Sequence, residues 1–354
     1  VRIDQDRVER TRNVLLKKEK DIVKQIKSVA GMDVELWAAA SISKAFDKLS
    51  IAYPKTEKGA PSFTKSFLTD HPHELAQLIV QARNLNKTSG TFINTIMKHC
   101  RTDGRIHGHI NQIRSDDGGT VSGRISMSNP NLQQIPARDP EMGPMIRSLF
   151  LPEEGEQWAA IDFSQQEPRI LVHYAHLFNK SRGGSMRGVE EFVNAYRHDP
   201  DMDFHTMVAE MASINRKQAK TINLGMMYGM GVNKLSEQLD IDVDDAKSLV
   251  KQYHDRVPFV KGLMNGVQAR LNDKKSGGSV RSLLGRKCRF DLWEPDTFAM
   301  NKALPYQKAI DEYGETTRLK RAYTYKALNR LIQASAADMT KQSMVNMYEQ
   351  GHVP

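Results

Sequence analysis

Apolar residues in the first thirty positions recur at Val8, Leu15, Ile22, Val23 and Ile26, a thin stripe at helical spacing on a highly charged segment. The pattern predicts one long helix over 6–30, stopped by Gly31. A second helix is expected from Asp33 to about Leu49. A loop follows at 54–64, where Pro, Gly, Ser and Thr cluster. Another helix should cover roughly 73–86. The alternation in Arg105-Ile-His-Gly-His-Ile suggests a strand, and Asp116-Asp-Gly-Gly-Thr a turn. Residues 157–162 (Gln-Trp-Ala-Ala-Ile-Asp) read as a short buried strand ending in an acid. A helix is expected at 165–178, with Gly183-Gly184 as a flexible join. From 203 to about 272 the period is mostly helical, and Asp242 with Asp245 resembles an N-terminal cap for a helix at 243–256. Lys274-Lys-Ser-Gly-Gly reads as a loop, Ser279–Leu284 as a strand leading to Gly285-Arg286, and 321–350 as a last long helix.

Composition narrows the function classes. At 354 residues the chain can hold two or three subdomains around a sizeable core. A net charge of +9 suits a polyanionic partner and equally suits a generically basic protein, so charge alone decides nothing. Two cysteines, Cys100 and Cys288, exclude a disulfide framework and a Cys-rich zinc site, and fit a reducing cytosol. No apolar run approaches the ~20 residues of a membrane span, and no signal peptide opens the chain. The expected location is the cytoplasm, that of the host cell if the source is viral.

Candidate chemistry concentrates in two places. Arg216, Lys220, Leu224 and Tyr228 recur every four residues, one slowly drifting helix face that begins with two cations and ends with a ring beside Gly229. A nucleoside triphosphate has the complementary shape. A cation pair on a helix is ordinarily a solvated face, but such a face rarely ends in Leu, Tyr and Gly. Asp162, at the end of the expected strand, can hold a hard cation or simply cap the helix that follows. Phosphoryl transfer needs both a carboxylate-held metal and cations on the triphosphate, so the two features together favour the metal reading.

These residues match a family. Asp162-Phe-Ser-Gln-Gln-Glu-Pro-Arg-Ile resembles the first catalytic motif of family A DNA polymerases, the DNA polymerase I group, and 216–229 resembles their second, the nucleotide-binding helix. Ser122-Gly-Arg124-Ile-Ser and Pro130-Asn-Leu-Gln133-Gln-Ile-Pro136 resemble the segment upstream of the first motif. Asn329-Arg-Leu-Ile-Gln333-Ala-Ser-Ala-Ala-Asp338 resembles the helix before the third. Thr56-Glu-Lys-Gly-Ala-Pro-Ser and Lys87-Thr resemble thumb segments, and Leu284-Gly-Arg-Lys-Cys-Arg-Phe resembles bacteriophage members. The resemblance covers essentially the whole chain, in order.

The resemblance implies an α+β right-hand fold. Residues 1–115 would be thumb with the start of the palm, 116–185 palm, 186–304 fingers with the nucleotide helix at about 214–229, and 305–354 palm again. The palm would carry an antiparallel sheet and the fingers would be helical. Asp162 would be catalytic and bind two Mg²⁺ ions, helped by the Phe163 carbonyl. Arg216, Lys220 and His205 would hold the triphosphate, with Gln165 and Leu224 also at the nucleotide. Lys220 would protonate the leaving pyrophosphate. Glu167 would pack near Tyr228 under the sugar and exclude a 2′-hydroxyl. Arg124, Asn131, Gln133, Arg138, Asn329 and Gln333 would touch the primer–template, and Lys87 would grip the duplex backbone. The partners implied are primer–template DNA and deoxynucleoside triphosphates, with no membrane; no processivity factor is identified.

Departures from the pattern carry their own expectations. Leu224 stands where the family usually has an aromatic, so handling of dideoxynucleotides should differ. Pro168 directly follows Glu167 and fixes the backbone there. Tyr325 stands where many relatives carry a basic residue and receives no DNA contact. The third motif, His-Asp-Glu, is expected on a missing segment or a second chain; His198-Asp199 and His254-Asp255 match it in neither order nor setting. The alternative is a catalytically incomplete primer–template binder or one half of a split polymerase. An RNA polymerase is disfavoured by Glu167 beside Tyr228, and a P-loop ATPase by the lack of its glycine-lysine motif.

Overall fold

The computed structural model describes residues 1–56, 58–100, 102–113, 119–137, 139–184, 186–227, 230–239, 241–272, 277–297, 299 and 301–352. The chain forms two compact units, Val1–Asn111 with Ser126–Ala160, and Gln112–Ile125 with Ile161–Pro354.

In the first unit β1 (Arg2–Ile3) leads into α1 (Gln5–Ala30). Asp4 caps this helix by accepting the Arg7 N–H at 2.9 Å, and Gly31 at φ 63° closes it, a conformation that favours glycine. Val8, Leu15 and Ile26 are buried as the stripe predicts, but Val23 lies off it and is exposed. The second helix, α2 (Ala39–Lys48), starts six residues later than expected. The Ser41 hydroxyl takes the Glu35 N–H and the chain turns at Glu35–Ala38, while Val34 and Leu36 pack on the core. α3 (Lys65–Asp70) precedes α4 (Glu74–Lys87), which packs along α1 and runs on through a π-helical stretch, Thr88–Ile93, into α5 (Asn94–His99). The strand expected from Arg105 is only β2 (His109–Asn111), antiparallel to β3 (Ser126–Ser128) with His109 opposite Ser128; Arg105 makes an isolated bridge to Arg2. α6 (Met142–Arg147) and β4 (Phe150–Leu151), the partner of β1, follow.

The buried strand expected at 157–162 does not form. Trp158 is 61% and Ile161 78% exposed, and no strand pairs with the stretch among the described residues. An apolar run becomes a buried strand only where its backbone finds ladder partners.

The second unit is mainly helical: α7 (Gln166–Ser181), α8 (Val189–His198), α9 (Phe204–Ala212), α10 (Arg216–Met227), α11 (Val232–Leu239), α12 (Val243–Arg256) and α13 (Pro258–Asn272). Asp242 occupies the N-cap position of α12 without the side-chain bond expected of it. β5 (Ser279–Arg281) and β6 (Lys287–Arg289) form a hairpin. The expected strand to Leu284 ends at Arg281 because Gly285 N–H turns back onto the Ser282 carbonyl at 3.0 Å. β7 (Leu292–Pro295) is the centre of a three-stranded antiparallel sheet between β8 (Leu304–Pro305) and β9 (Leu319–Arg321), with α14 (Tyr306–Tyr313) inserted between those two edges. α15 (Ala327–Glu349) begins later than 321 because β9 occupies that stretch. The core gathers Phe192, Phe204, Tyr253 and Phe259 with Leu171, Ile222 and Leu328. No helix is long and apolar enough to cross a membrane among the described residues. Asp116–Gly118 and residues 273–276 of the two expected turns lie outside the described residues.

Candidate nucleotide and primer–template site

Three consecutive side chains just after Asp162 each reach a different element. Gln165 Nε2 donates to the Met202 carbonyl at 2.8 Å and its Oε1 accepts the Phe204 N–H at 2.9 Å, clipping this loop to the start of α9. Gln166 Nε2 donates to the Ala336 carbonyl at 3.1 Å and to Thr340 Oγ1 at 3.3 Å, on α15. Glu167 accepts from Arg124 at 2.5 Å, joining the segment 119–125. Gln165 sits at φ 52°, where a non-glycine residue is strained; its two backbone bonds hold it there. Arg169, stacked over Tyr196 at 4.6 Å, donates to the Ser164 carbonyl at 2.9 Å and fixes the same turn. Gln165 therefore commits both ends of its amide to the backbone.

The clip positions α9 and α10. Asp203 caps α9 by accepting the Thr206 N–H at 2.8 Å and also accepts from Arg216 at 2.5 Å. Partial burial pushes this carboxyl up, but the Arg216 and Thr206 hydrogen bonds outweigh it and hold it at about 2. α10 starts with a reciprocal cap that the spacing Asn215-x-x-Gln218 could have revealed. The Gln218 N–H donates to Asn215 Oδ1 at 2.8 Å and the Asn215 N–H to Gln218 Oε1 at 3.1 Å. Ala219, Ile222 and Asn223 face the core, while Arg216, Lys217 and Lys220 are exposed and Leu224 is half-buried against the core cluster. The cationic end of the predicted face is thus open, and its apolar end doubles as packing.

His205 joins this face through a buried relay. The Tyr253 hydroxyl donates to Asn223 Oδ1 at 2.7 Å, which leaves the Asn223 amide nitrogen to donate to His205 Nδ1 at 3.1 Å. The ring's proton then sits on Nε2. Burial pushes His205 below the usual imidazole range; Asp203 opposes this, and Arg216 and Lys220 add to it. A neutral imidazole presenting an N–H is a donor for a phosphate oxygen. Asn223 was not singled out from sequence: an asparagine on the buried face of a helix looks like any polar interruption.

Asp162 and Phe163 are exposed at the loop that precedes α7. Among the described residues no three His, Cys, Asp or Glu side chains cluster as a metal cage. One carboxylate and one carbonyl are hard oxygen donors. They fit Mg²⁺, which keeps waters and substrate oxygens in its shell rather than needing an all-protein site. Asn329 and Gln333 lie one turn apart on α15, both half-buried. Below them Asp338 is buried, accepting from Arg286 Nε at 3.1 Å and from the Leu284 N–H at 3.2 Å, which ties the β5–β6 turn to α15. In the first unit Lys87 is exposed at the end of α4, and Asn131 caps the 3₁₀ turn Leu132–Gln134 by accepting the Gln133 N–H at 3.1 Å. Tyr228, Gly229 and Arg138 lie outside the described residues.

The fold is that of the right-hand polymerases, α+β with thumb, palm and fingers. It is similar to the POL domain of Pol1 from M. smegmatis, solved in complex with DNA primer-template and dNTP: TM-score 0.73, 26% identity, 99% of this chain and 57% of that one. The family model for DNA polymerase family A matches residues 5–352, and the chain belongs to that family. It is 35% identical to a DNA-directed DNA polymerase of Pseudomonas phage M6 over 99% of this chain and 55% of the relative. It is 30% identical to the thermostable DNA polymerase I of Thermus aquaticus over 86% of this chain and 33% of the relative. The chain spans about half the length of the phage relatives it matches.

Proposed function

We propose that this chain is the core of a template-directed DNA polymerase that adds deoxynucleotides to a primer 3′-hydroxyl. The observation that carries the reading is the Gln165 clip. It links the loop of Asp162 to α9, and through Asp203 and His205 to the open cationic face of α10. Arg216 and Lys220 hold the triphosphate, and His205 Nε2–H donates to a phosphate oxygen. Asp162 and the Phe163 carbonyl would hold two Mg²⁺ ions, which when bound would neutralise phosphate charge. The primer 3′-hydroxyl loses its proton to water as its oxygen bonds to the α-phosphorus and the bond to the bridging oxygen breaks, and Lys220 delivers a proton to the departing pyrophosphate. Glu167, oriented by Arg124, excludes a 2′-hydroxyl at the sugar, the role in which the family resemblance pairs it with Tyr228; Leu224 backs the base. Gln165 acts by positioning.

In this reading residues 1–115, 116–185, 186–304 and 305–354 divide into thumb, palm, fingers and returning palm. Lys87, Asn131, Gln133, Arg138, Asn329 and Gln333 grip primer–template, and the protein works in the cytoplasm, that of the host cell if the source is viral. The test is primer extension by the polypeptide carrying this chain. Asp162→Ala should abolish extension and keep primer–template affinity within about twofold of wild type. Extension at the wild-type rate would overturn the reading.

A further inference from the structure

A cleft of about 760 Å³ opens between α7 and α13 and is lined as well by β5, β6 and α15. The two helices meet at Gly266, where any Cβ would collide with the Phe178 ring. The apolar wall of the cleft is aliphatic: Leu177, Leu263, Val267, Val280 and Leu331. The last four are buried, whereas Leu177 is 48% exposed, an apolar side chain that nothing in its own unit covers. On α7 the lining residues run from Tyr174 to Arg182 at helical spacing, so they share one face. That face is roughly 12 Å long at 1.5 Å per residue, just over two turns.

Charge in this cleft is one-sided. Arg182, Arg270, Arg281 and Lys287 line it and are exposed, and no aspartate or glutamate lines it among the described residues. The four cations come from four segments: the end of α7, α13, β5 and β6. Arg182 is held over the Phe178 ring at 4.5 Å, and Arg281 donates to the Gly285 carbonyl at 3.2 Å, so two of the four are fixed in direction. An ordinary solvated surface interleaves both signs, and this one does not. None of the lining residues belongs to the loop after Asp162 or to the α9–α10 face.

The walls select the occupant. An aliphatic floor takes apolar side chains, and a cationic rim takes acids. A polynucleotide brings the acids but needs open rings to stack its bases on. Here the Phe178 ring is already covered by Arg182, and Tyr174 is half-buried with its hydroxyl bonded to Ser335 Oγ at 2.8 Å. A helix with carboxylates flanking an apolar stripe brings both chemistries, and a trough between two helices has the shape to receive it. We propose that this cleft docks an acidic amphipathic helix of a partner protein, about two turns long. Its apolar side chains sit on Leu177, Val267 and Leu331, and its carboxylates meet the four cations. The proposal does not rest on the polymerase reading.

The test is a fluorescence-anisotropy titration of the polypeptide carrying this chain with a labelled synthetic peptide of about twelve residues, leucines at helical spacing among glutamates and alanines. Wild type should bind it saturably with a Kd below about 200 µM. A scrambled peptide of the same composition should bind at least about tenfold more weakly, because its apolar stripe is gone. Arg270→Glu with Lys287→Glu, both at exposed positions, should weaken binding of the acidic peptide by about tenfold or more. The same variant should bind a peptide with lysine in place of glutamate more tightly than wild type does, which a misfolded chain would not. Weaker wild-type binding, equal binding of the scrambled peptide, or a charge-reversed variant that keeps the acidic peptide would overturn the proposal. Displacement of the peptide by a single-stranded oligonucleotide, or self-association of the chain that the variant loses, would assign the cleft to another occupant and overturn it as well.

Discussion

At the scale of single residues the site is organised by side chains that bond to backbone and to one another. Asp203 is the clearest case, since it caps α9 and holds Arg216 with one carboxylate. Its proton affinity is lowered in the folded chain, so its charged form favours folding. That contribution is fully present above the ordinary aspartate range near pH 4 and is lost as pH falls through about 2. Wild type and Asp203→Asn should therefore differ in urea midpoint at pH 6, and the gap should close steadily as pH is lowered from about 4 toward 2. A gap independent of pH over that range would remove the charge from the explanation. Burial likewise keeps His205 neutral, so its Nε2–H is available as a donor at neutral pH without the energetic cost of burying another positive charge beside Arg216 and Lys220.

Elements show which parts of this architecture could be read in advance. The helix at 5–30 followed from its stripe and Gly31, and α12 and α10 followed from period and motif, because amphipathic period survives whatever the helix packs against. The stretch 157–162 misled for the opposite reason: an apolar run says nothing about whether a ladder partner is present. The cations of α10 were legible as chemistry, whereas Asn223 and the Gln165 clip were not, since their meaning lies in contacts 18 and 37–39 positions away. The Asn215–Gln218 box was readable and makes a direct prediction. Asn215→Ala should cost the protein about 1 kcal/mol in urea denaturation, while a loss below ~0.3 kcal/mol would mean that packing alone fixes the start of α10. The Asp338–Arg286 pair makes another. Asp338→Ala strands a cation and frees the Leu284 N–H, so unfolding stability should fall by about 3 kcal/mol; a variant as stable as wild type would show that water replaces both bonds.

The whole molecule is basic, and its second unit gathers onto one framework every described residue assigned to nucleotide or metal: Asp162, Phe163, Gln165, Glu167, His205, Arg216, Lys220 and Leu224. The framework uses α9, α15 and the segment 119–125 as three separate anchors for the loop after Asp162, which is why adjacent glutamines and a glutamate there reach in three directions. That the α10 face holds a triphosphate, rather than merely being solvated, is the claim on which the account stands. Its most direct test is the affinity of the chain, bound to primer–template, for the deoxynucleoside triphosphate complementary to the template. Paired substitution of Arg216→Ala and Lys220→Ala should weaken nucleotide binding by at least about tenfold, each lost charge-assisted contact being worth roughly 1.5–3 kcal/mol. Lys217→Ala, removing an equally exposed cation from the adjoining face, should leave it unchanged. Equal losses from both, or no loss from the pair, would contradict the account.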